Sequence, residues 1–247
     1  MILKPNWIVP ASIQAAYTLR AQGVSLEPYS SFNVGNHVND NPSHVAQNRA
    51  LLKQKLALKN EPAWLTQVHG SEILNLDLHP LFIPTQSLEY DASFTTQADR
   101  ACVIMSADCL PILLCDEAGL AIAALHCGWR SMASGLIQKS IALFKMHSAS
   151  PIIVWLGPCI GPNAFEVGQE VRLQFRDQNA FIPLSDNKYL GDLHQIAKGL
   201  LENEGVLAKN IYQNSQCTYS NPNDFYSFRR DTITGRMASL IWKHSLE

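Results

Sequence analysis

Apolar residues in this chain come in short dense runs separated by polar stretches, and the spacing inside each run predicts an element. "ACVIMS" (101–106), "PILLCD" (111–116), "LAIAALH" (120–126) and "PIIVWLG" (151–157) contain few polar positions, the pattern of strands buried on both faces. "IQAAYTLR" (13–20) and "AWLTQVH" (63–69) predict two more strands, Gly70 ending the second, and "GRMASLIWKH" (235–244) a closing one. "GLIQKSIALFKMH" (135–147) instead places apolar residues at 136, 137, 141, 143 and 144, a helical stripe. Further helices are expected over 168–176 and over 193–205, with Gly205 as a stop. Asn41 and Pro42 make a suitable N-cap and first-turn pair for a helix through 42–58, preceded by a long polar loop over 28–45.

Strands and helices alternate without a strict βαβ rhythm, and no Gly/Ser run, Pro-rich run, charge block or repeat interrupts them. The expectation is an α/β fold: a single domain over 1–247, layered as a sandwich of mixed β-sheets flanked by helices. A hydrophobic content of 47% with 16% charged residues suits a packed core and excludes a disordered chain. The net charge of −2 gives no electrostatic reason to expect nucleic acid or an anionic membrane surface as partner. A small anion in a local basic pocket stays open. "MILKPNWIVPASIQAAY" lacks a basic segment followed by an apolar one, and no run approaches the roughly 18 to 20 apolar residues of a membrane span. The six cysteines are therefore expected as free thiols in a cytoplasmic protein.

Candidate chemistry lies in "ADCLPILLCDEAGLAIAALHCGWR" (107–130). "DEAG" has Asp first and Gly last, as a type I turn prefers. If Asp116 pairs with Gly119, Cys109 falls opposite His126, with Cβ atoms roughly 4.5 to 5.5 Å apart. That suits joint ligation of one metal at about 2.3 Å for Zn–S and about 2.0 to 2.1 Å for Zn–N. The competing reading is a small core thiol and a hydrogen-bonded strand-end histidine. His69 offers a third donor, likewise at the end of a predicted strand and directly before Gly70. Two histidines and a cysteine leave a zinc site one position short of four, the catalytic arrangement, in which bound water ionises near neutral pH.

"SFNVGNHVNDNPSHVAQNR", "LTQVHG", "ADCLPILL", "HCGWR", "GPCIGPNAFEVG" and "SFRRDTITGRMASLIW" together resemble the polyphenol oxidase or laccase-domain family, now regarded as purine nucleoside phosphorylases. The resemblance spans essentially the whole chain, in order. It implies metal ligation by His69, Cys109 and His126, the residues reached above. It implies zinc-dependent phosphorolysis of adenosine, inosine and methylthioadenosine, hydrolytic deamination of adenosine, and a fold similar to the catalytic domain of the cytotoxic necrotizing factors. Members are also described as copper-dependent oxidases of phenols and, in bacteria, as factors that keep peptidoglycan composition correct. The chain departs from the usual pattern at Gln22, Cys127, Ser131 and Met132, which touches turn geometry and a candidate anion loop more than the ligands.

For such chemistry Asp108 or Gln67 is a candidate to orient or relay protons, Gln67 lying two residues before His69 and so on the same strand face. The alternative for Asp108 is a turn-forming or capping carboxylate. Phosphate would need an anion site, for which the helix opened by "GWRSMASG" and Arg130 are candidates. Asn33 and Arg49 are candidate substrate contacts, against readings as a turn residue and a surface arginine. Arg229 and Arg230 form a weaker basic pair, at least one expected to bind Asp231 or Asp224, and Trp129, Phe165 and Tyr226 are aromatics that either stack on a purine or belong to the core. The expected partners are nucleoside and phosphate, the cofactor zinc with copper as the alternative ion, and the assembly a monomer or weak homodimer. Eight histidines without an HxH pair argue against a blue-copper and trinuclear oxidase. A metal-free hydrolase with Cys109 as thiolate and His126 as base is the remaining alternative.

Overall fold

The computed structural model describes residues 1–79 and 89–244. Strand β1 (Ile2–Leu3) pairs antiparallel with β2 (Ile13–Thr18). Helix α1 (Pro42–Lys55) begins as expected: Asn41 Oδ1 accepts from Ser43 N at 2.9 Å, with Pro42 in the first turn. It stops short of the expected end because Ala57 turns left-handed at φ 49°. Then come β3 (Ile73–Asn75), β4 (Ala92–Thr95), β5 (Cys102–Ser106), β6 (Leu110–Asp116) and β7 (Ile122–Cys127). A short α2 (Trp129–Ala133) is separated from α3 (Leu136–His147) by Gly135, whose φ of 86° suits a residue without Cβ. Next are β8 (Ile152–Leu156), β9 (Glu166–Gly168) and α4 (Gln169–Arg172). β10 (Phe181–Pro183), β11 (Lys188–Gly191) and α5 (Leu193–Asn203) follow, then β12 (Ile211–Gln213), α6 (Phe228–Asp231) and β13 (Met237–Lys243). Asp192 caps α5 through Gln195 N, and Gly205 follows it at φ 87°.

Two expected elements differ. Residues 63–69 form isolated bridges, Ala63 to Cys102 and Thr66 to Glu89, in place of a strand. Side chains supply what a ladder would: the Gln67 amide bonds both ways with the backbone of Met105, and Asp91 takes the N–H groups of residues 68–70. The helix expected over 168–176 is reduced to the single turn of α4, because Glu166–Gly168 pairs with β11 and Gln174 lies beyond the helix end.

A six-stranded mixed sheet runs β12-β8-β6-β7-β4-β3, parallel only in its outer pairs, and a four-stranded antiparallel sheet runs β1-β2-β13-β5. Strand period 2 sorts the side chains between layers. On β6 and β7, Ile112, Leu114, Ala123 and Leu125 face α3 and α5, while Leu113, Cys115, Ile122 and Ala124 face the second sheet. On β5 and β13, Ile104 and Ile241 meet them, while Val103, Met105, Ala238 and Leu240 pack towards Leu52 of α1. The result is helices, sheet, sheet, helix, with three apolar seams in which each fully buried Leu or Ile contributes about 1.5–3 kcal/mol. The small sheet β10-β11-β9 attaches to the helical side through Phe165 and Phe181. All six cysteines are free, and among the described residues no helix is long and apolar enough to cross a membrane.

Candidate metal centre

The β6–β7 hairpin carries the first two donors, with a register that differs from expectation. The turn bond from Gly119 N to Asp116 O is present at 2.9 Å, yet Pro111 stands opposite His126 and Cys115 opposite Ile122. Asp116 explains the shift: its Oδ1 also accepts from Leu120 N at 2.7 Å and Ala121 N at 2.9 Å, drawing both residues into the loop. A slip of two positions keeps every side chain on its face. Cys109, just before β6, therefore stays on the His126 side as a diagonal neighbour. His126 itself continues the row Ile122, Ala124 that faces the second sheet, so it emerges where the two sheets part.

His69, Cys109 and His126 converge there, one donor atom from each lying within 4.8 Å of the others. Cys109 Sγ is 3.7 Å from His69 Nε2, and the two imidazoles meet edge-on with centroids 4.8 Å apart. His126 is buried, Cys109 half-buried and His69 exposed, so the cluster opens to one side. His69 and Asp108 have φ of 60° and 93°, left-handed values that cost a non-glycine residue of order 1–3 kcal/mol each. Gly128 leaves the space the donors fill: a Cβ there would lie 3.0 Å from Cys109 Sγ and 3.1 Å from His69 Cδ2.

One residue that sequence reasoning did not single out organises the cluster. Asp91, fully buried just before β4, accepts at Oδ1 from His126 Nδ1 (2.8 Å) and His69 N (3.0 Å), and at Oδ2 from Gly70 N (2.6 Å) and Val68 N (3.2 Å). Its only sequence signal is a carboxylate at the head of an apolar run, "DASF". Burial pushes the Asp91 carboxyl up, but His126 and the amides outweigh it and hold it below its ordinary value. Burial likewise pushes the Cys109 thiol up, while His126 and His69 bring it down to about 6. The reverse holds at His126, where burial lowers and the Cys109 and Asp91 charges raise, to about 9. Both shifts favour a thiolate facing an imidazolium, and the thiolate is the form that binds metal.

The donors lie in the wall of a cavity of about 430 Å³, which three arginines, Arg130, Arg229 and Arg236, also line. Arg130 is exposed and stacks 4.3 Å over Trp129, and among the described residues its guanidinium has no hydrogen bond or ion pair. His37 and Arg236, also lining the cavity, were missed because nothing in their local sequence separates them from loop residues. Desolvation first, then Arg236 and Arg49, lower the His37 imidazole to about 4, so it stays neutral at pH 7.

A family model described as multi-copper polyphenol oxidoreductase laccase matches residues 14–244. The chain belongs to this family. Within the laccase family it is 43% identical over 246 residues to the purine nucleoside phosphorylase YfiH of Escherichia coli, covering 98% of each chain. It is 42% identical over 247 residues to the purine nucleoside phosphorylase of Haemophilus influenzae, covering 97% of this chain and 98% of that one. A solved structure of a Neisseria meningitidis protein superposes with a TM-score of 0.90 at 38% identity, covering 99% of both chains.

The remaining candidate residues of this laccase-family chain divide clearly. Asp108 lines the cavity, but its carboxylate is occupied by Thr218 Oγ1 (2.6 Å), Ser227 Oγ (3.0 Å) and Arg229 N (2.7 Å), the capping arrangement. Gln67 lines it too, with its amide committed to Met105 at 2.7 Å in both directions. Asn33 and Arg49 are not among the lining residues. Asn33 is fully buried and ties Gly35, Asp40 and Arg236 N together, while Arg49 donates to Val34 O and stacks 4.0 Å over Trp64. Arg230 is ion-paired with Asp231, as expected of one member of that pair. Of the aromatics, Trp129 and Phe165 border the cavity and Tyr226 is core, its hydroxyl donating to Tyr29 O. Cys127, Ser131 and Met132 are all buried in packing positions.

Proposed function

We propose that this protein is a zinc-dependent purine nucleoside phosphorylase. It would split adenosine, inosine and methylthioadenosine with phosphate into free base and the corresponding pentose 1-phosphate, and deaminate adenosine in the same cavity. The observation that carries the reading is three soft and borderline donors in the wall of a pocket lined by cationic side chains. The names of the relatives, purine nucleoside phosphorylases at 42–43% identity, support it. The pocket size lies within the usual range of roughly 300–1,000 Å³ for small-molecule sites.

His69, Cys109 and His126 fit zinc by donor type, by mutual distance and by the ready ionisation of Cys109. Bound there, the ion would act as a Lewis acid towards substrate oxygen or nitrogen and lower the pKa of water. Arg130, exposed at the cavity with a guanidinium that stacks on Trp129 and forms no ion pair among the described residues, would neutralise phosphate. Arg236 and Arg229 add positive charge, and Phe165 and Trp129 offer flat apolar faces against a purine. Copper is the alternative ion, since the same donors suit it. Among the described residues this is one cluster of three such donors, whereas paired copper centres for electron transfer require several.

One observation favours a second reading. Asp91, His126 and Cys109 stand in the order of an orienting acid, base and thiol nucleophile, which a metal-free hydrolase would use. The discriminating experiment is chromatography of adenosine incubated with purified protein, with and without phosphate, beside a chelator-treated sample and Cys109→Ala. Adenine formed only with phosphate and lost on chelation is the expected result. Turnover that survives chelation but not Cys109→Ala would replace it with the thiol enzyme, and a different substrate, such as a cell-wall precursor, would then be tried.

A further inference from the structure

We infer that Asp91 is the positioning residue of this site, one buried carboxylate oxygen fixing both histidine donors at once. The inference rests on reading His69, Cys109 and His126 as the metal site. Oδ1 of Asp91 accepts from the His126 ring at 2.8 Å and from the His69 main chain at 3.0 Å, so the two donors are referenced to a single atom. With its Nδ1–H held by Asp91, His126 has Nε2 left to turn to Cys109 and His69, so Nε2 is the nitrogen available to ligate. With three successive amides drawn onto the carboxylate, the 68–70 turn keeps the left-handed His69 backbone that aims its side chain at Cys109. The Asp91 carbonyl adds a further tie, accepting from His126 N at 2.7 Å. The other aspartate of the site, Asp108, directs its carboxylate elsewhere, to residues 218, 227 and 229.

A carboxylate that merely fills a buried hole would affect folding alone, so the test reads ligand geometry. Zinc affinity is measured by competition with a chromophoric chelator for the full-length protein and for Asp91→Asn, whose amide nitrogen cannot accept from an imidazole or a backbone N–H. The expected result is one zinc per chain in both, with affinity in Asp91→Asn weaker by roughly ten- to a hundredfold. Should Asp91→Asn fail to fold, imidazole ¹⁵N–¹H correlation spectra of the zinc-loaded wild-type protein decide the matter. His126 is expected to show a protected, downfield Nδ1 proton and a metal-bound Nε2. Equal zinc affinity in a folded Asp91→Asn, or ligation through His126 Nδ1, overturns the role of Asp91 while leaving the metal site standing. A wild-type protein that takes up no zinc overturns the metal reading itself; the His126 Nδ1 proton in that metal-free protein still reports whether Asp91 orients the ring.

Discussion

Two aspartates at opposite ends of β7, Asp91 and Asp116, are both fully buried and both accept backbone amides, yet they serve different ends. Asp116 binds Leu120 N, Ala121 N and the Ser148 hydroxyl (2.6 Å), none of which titrates in the physiological range. It closes a loop. Asp91 binds three amides where Asp116 binds two, and its remaining bond goes to the His126 ring, which faces Cys109. Burial and amide capping are thus shared by a carboxylate that closes a loop and one that reaches the candidate site. What separates them is whether the chain of contacts ends in a group with chemistry to perform.

The two ends can be pulled apart by experiment. His126→Ala removes a donor and the partner of Asp91, and phosphorolysis of adenosine is expected to fall to background while circular dichroism stays native. Activity retained in that variant would break the contrast outright. Asp116→Ala leaves three donors without an acceptor and is expected to cost about 2–4 kcal/mol, read as a lower chemical-denaturation midpoint. At temperatures where that variant is folded, its kcat should match wild type.

Chelated protein offers a pH test. Because its neighbours hold the Cys109 thiol at about 6, its alkylation rate by iodoacetamide should rise through about pH 6 and level off above it. Cys102, pushed up to about 12 by burial, should remain unreactive over the same range, and added zinc should protect Cys109. A Cys109 profile rising only above pH 8 would contradict the thiolate–imidazolium pair. Arg130→Ala should raise the KM for phosphate roughly tenfold with an unchanged unfolding temperature. The smallest effect on catalysis is expected for Arg49→Ala, which lowers the unfolding temperature and leaves that KM where it was, in keeping with its place on Val34 and Trp64.

Elements whose identity depends on local pattern were legible in the sequence, among them the twice-buried strands β5 to β8, the Asn41 cap of α1 and the Gly205 stop of α5. Where side chains replace backbone pairing, pattern misleads. "AWLTQVH" has strand periodicity, but Gln67 and Asp91 take over its hydrogen bonds from residues far along the chain. The hairpin register moved for the same reason, through the Asp116 side chain. That His69, Cys109 and His126 come together could be anticipated because each stands at one end of an apolar run, close to a glycine or a turn. Asp91 could not, since its meaning comes wholly from partners at 68–70 and 126. Asn33 and Arg49 could be read two ways from sequence, as substrate contacts or as a turn residue and a surface arginine; in the structure their side chains are engaged in holding that loop together.

β13 lies between β2 and β5, and its Ala238 N–H reaches the Thr18 hydroxyl across a separation of 220 residues. Until that strand is made, β2 and β5 each keep an unpaired edge, and Arg236 is not yet available to the cavity. Such long-range closure slows folding and leaves sticky edges exposed on the growing polypeptide. Synthesis on the ribosome therefore sets an order for this protein: His69, Cys109 and His126 emerge well before β13, and the pocket around them is completed only when the distant strand slides into its slot.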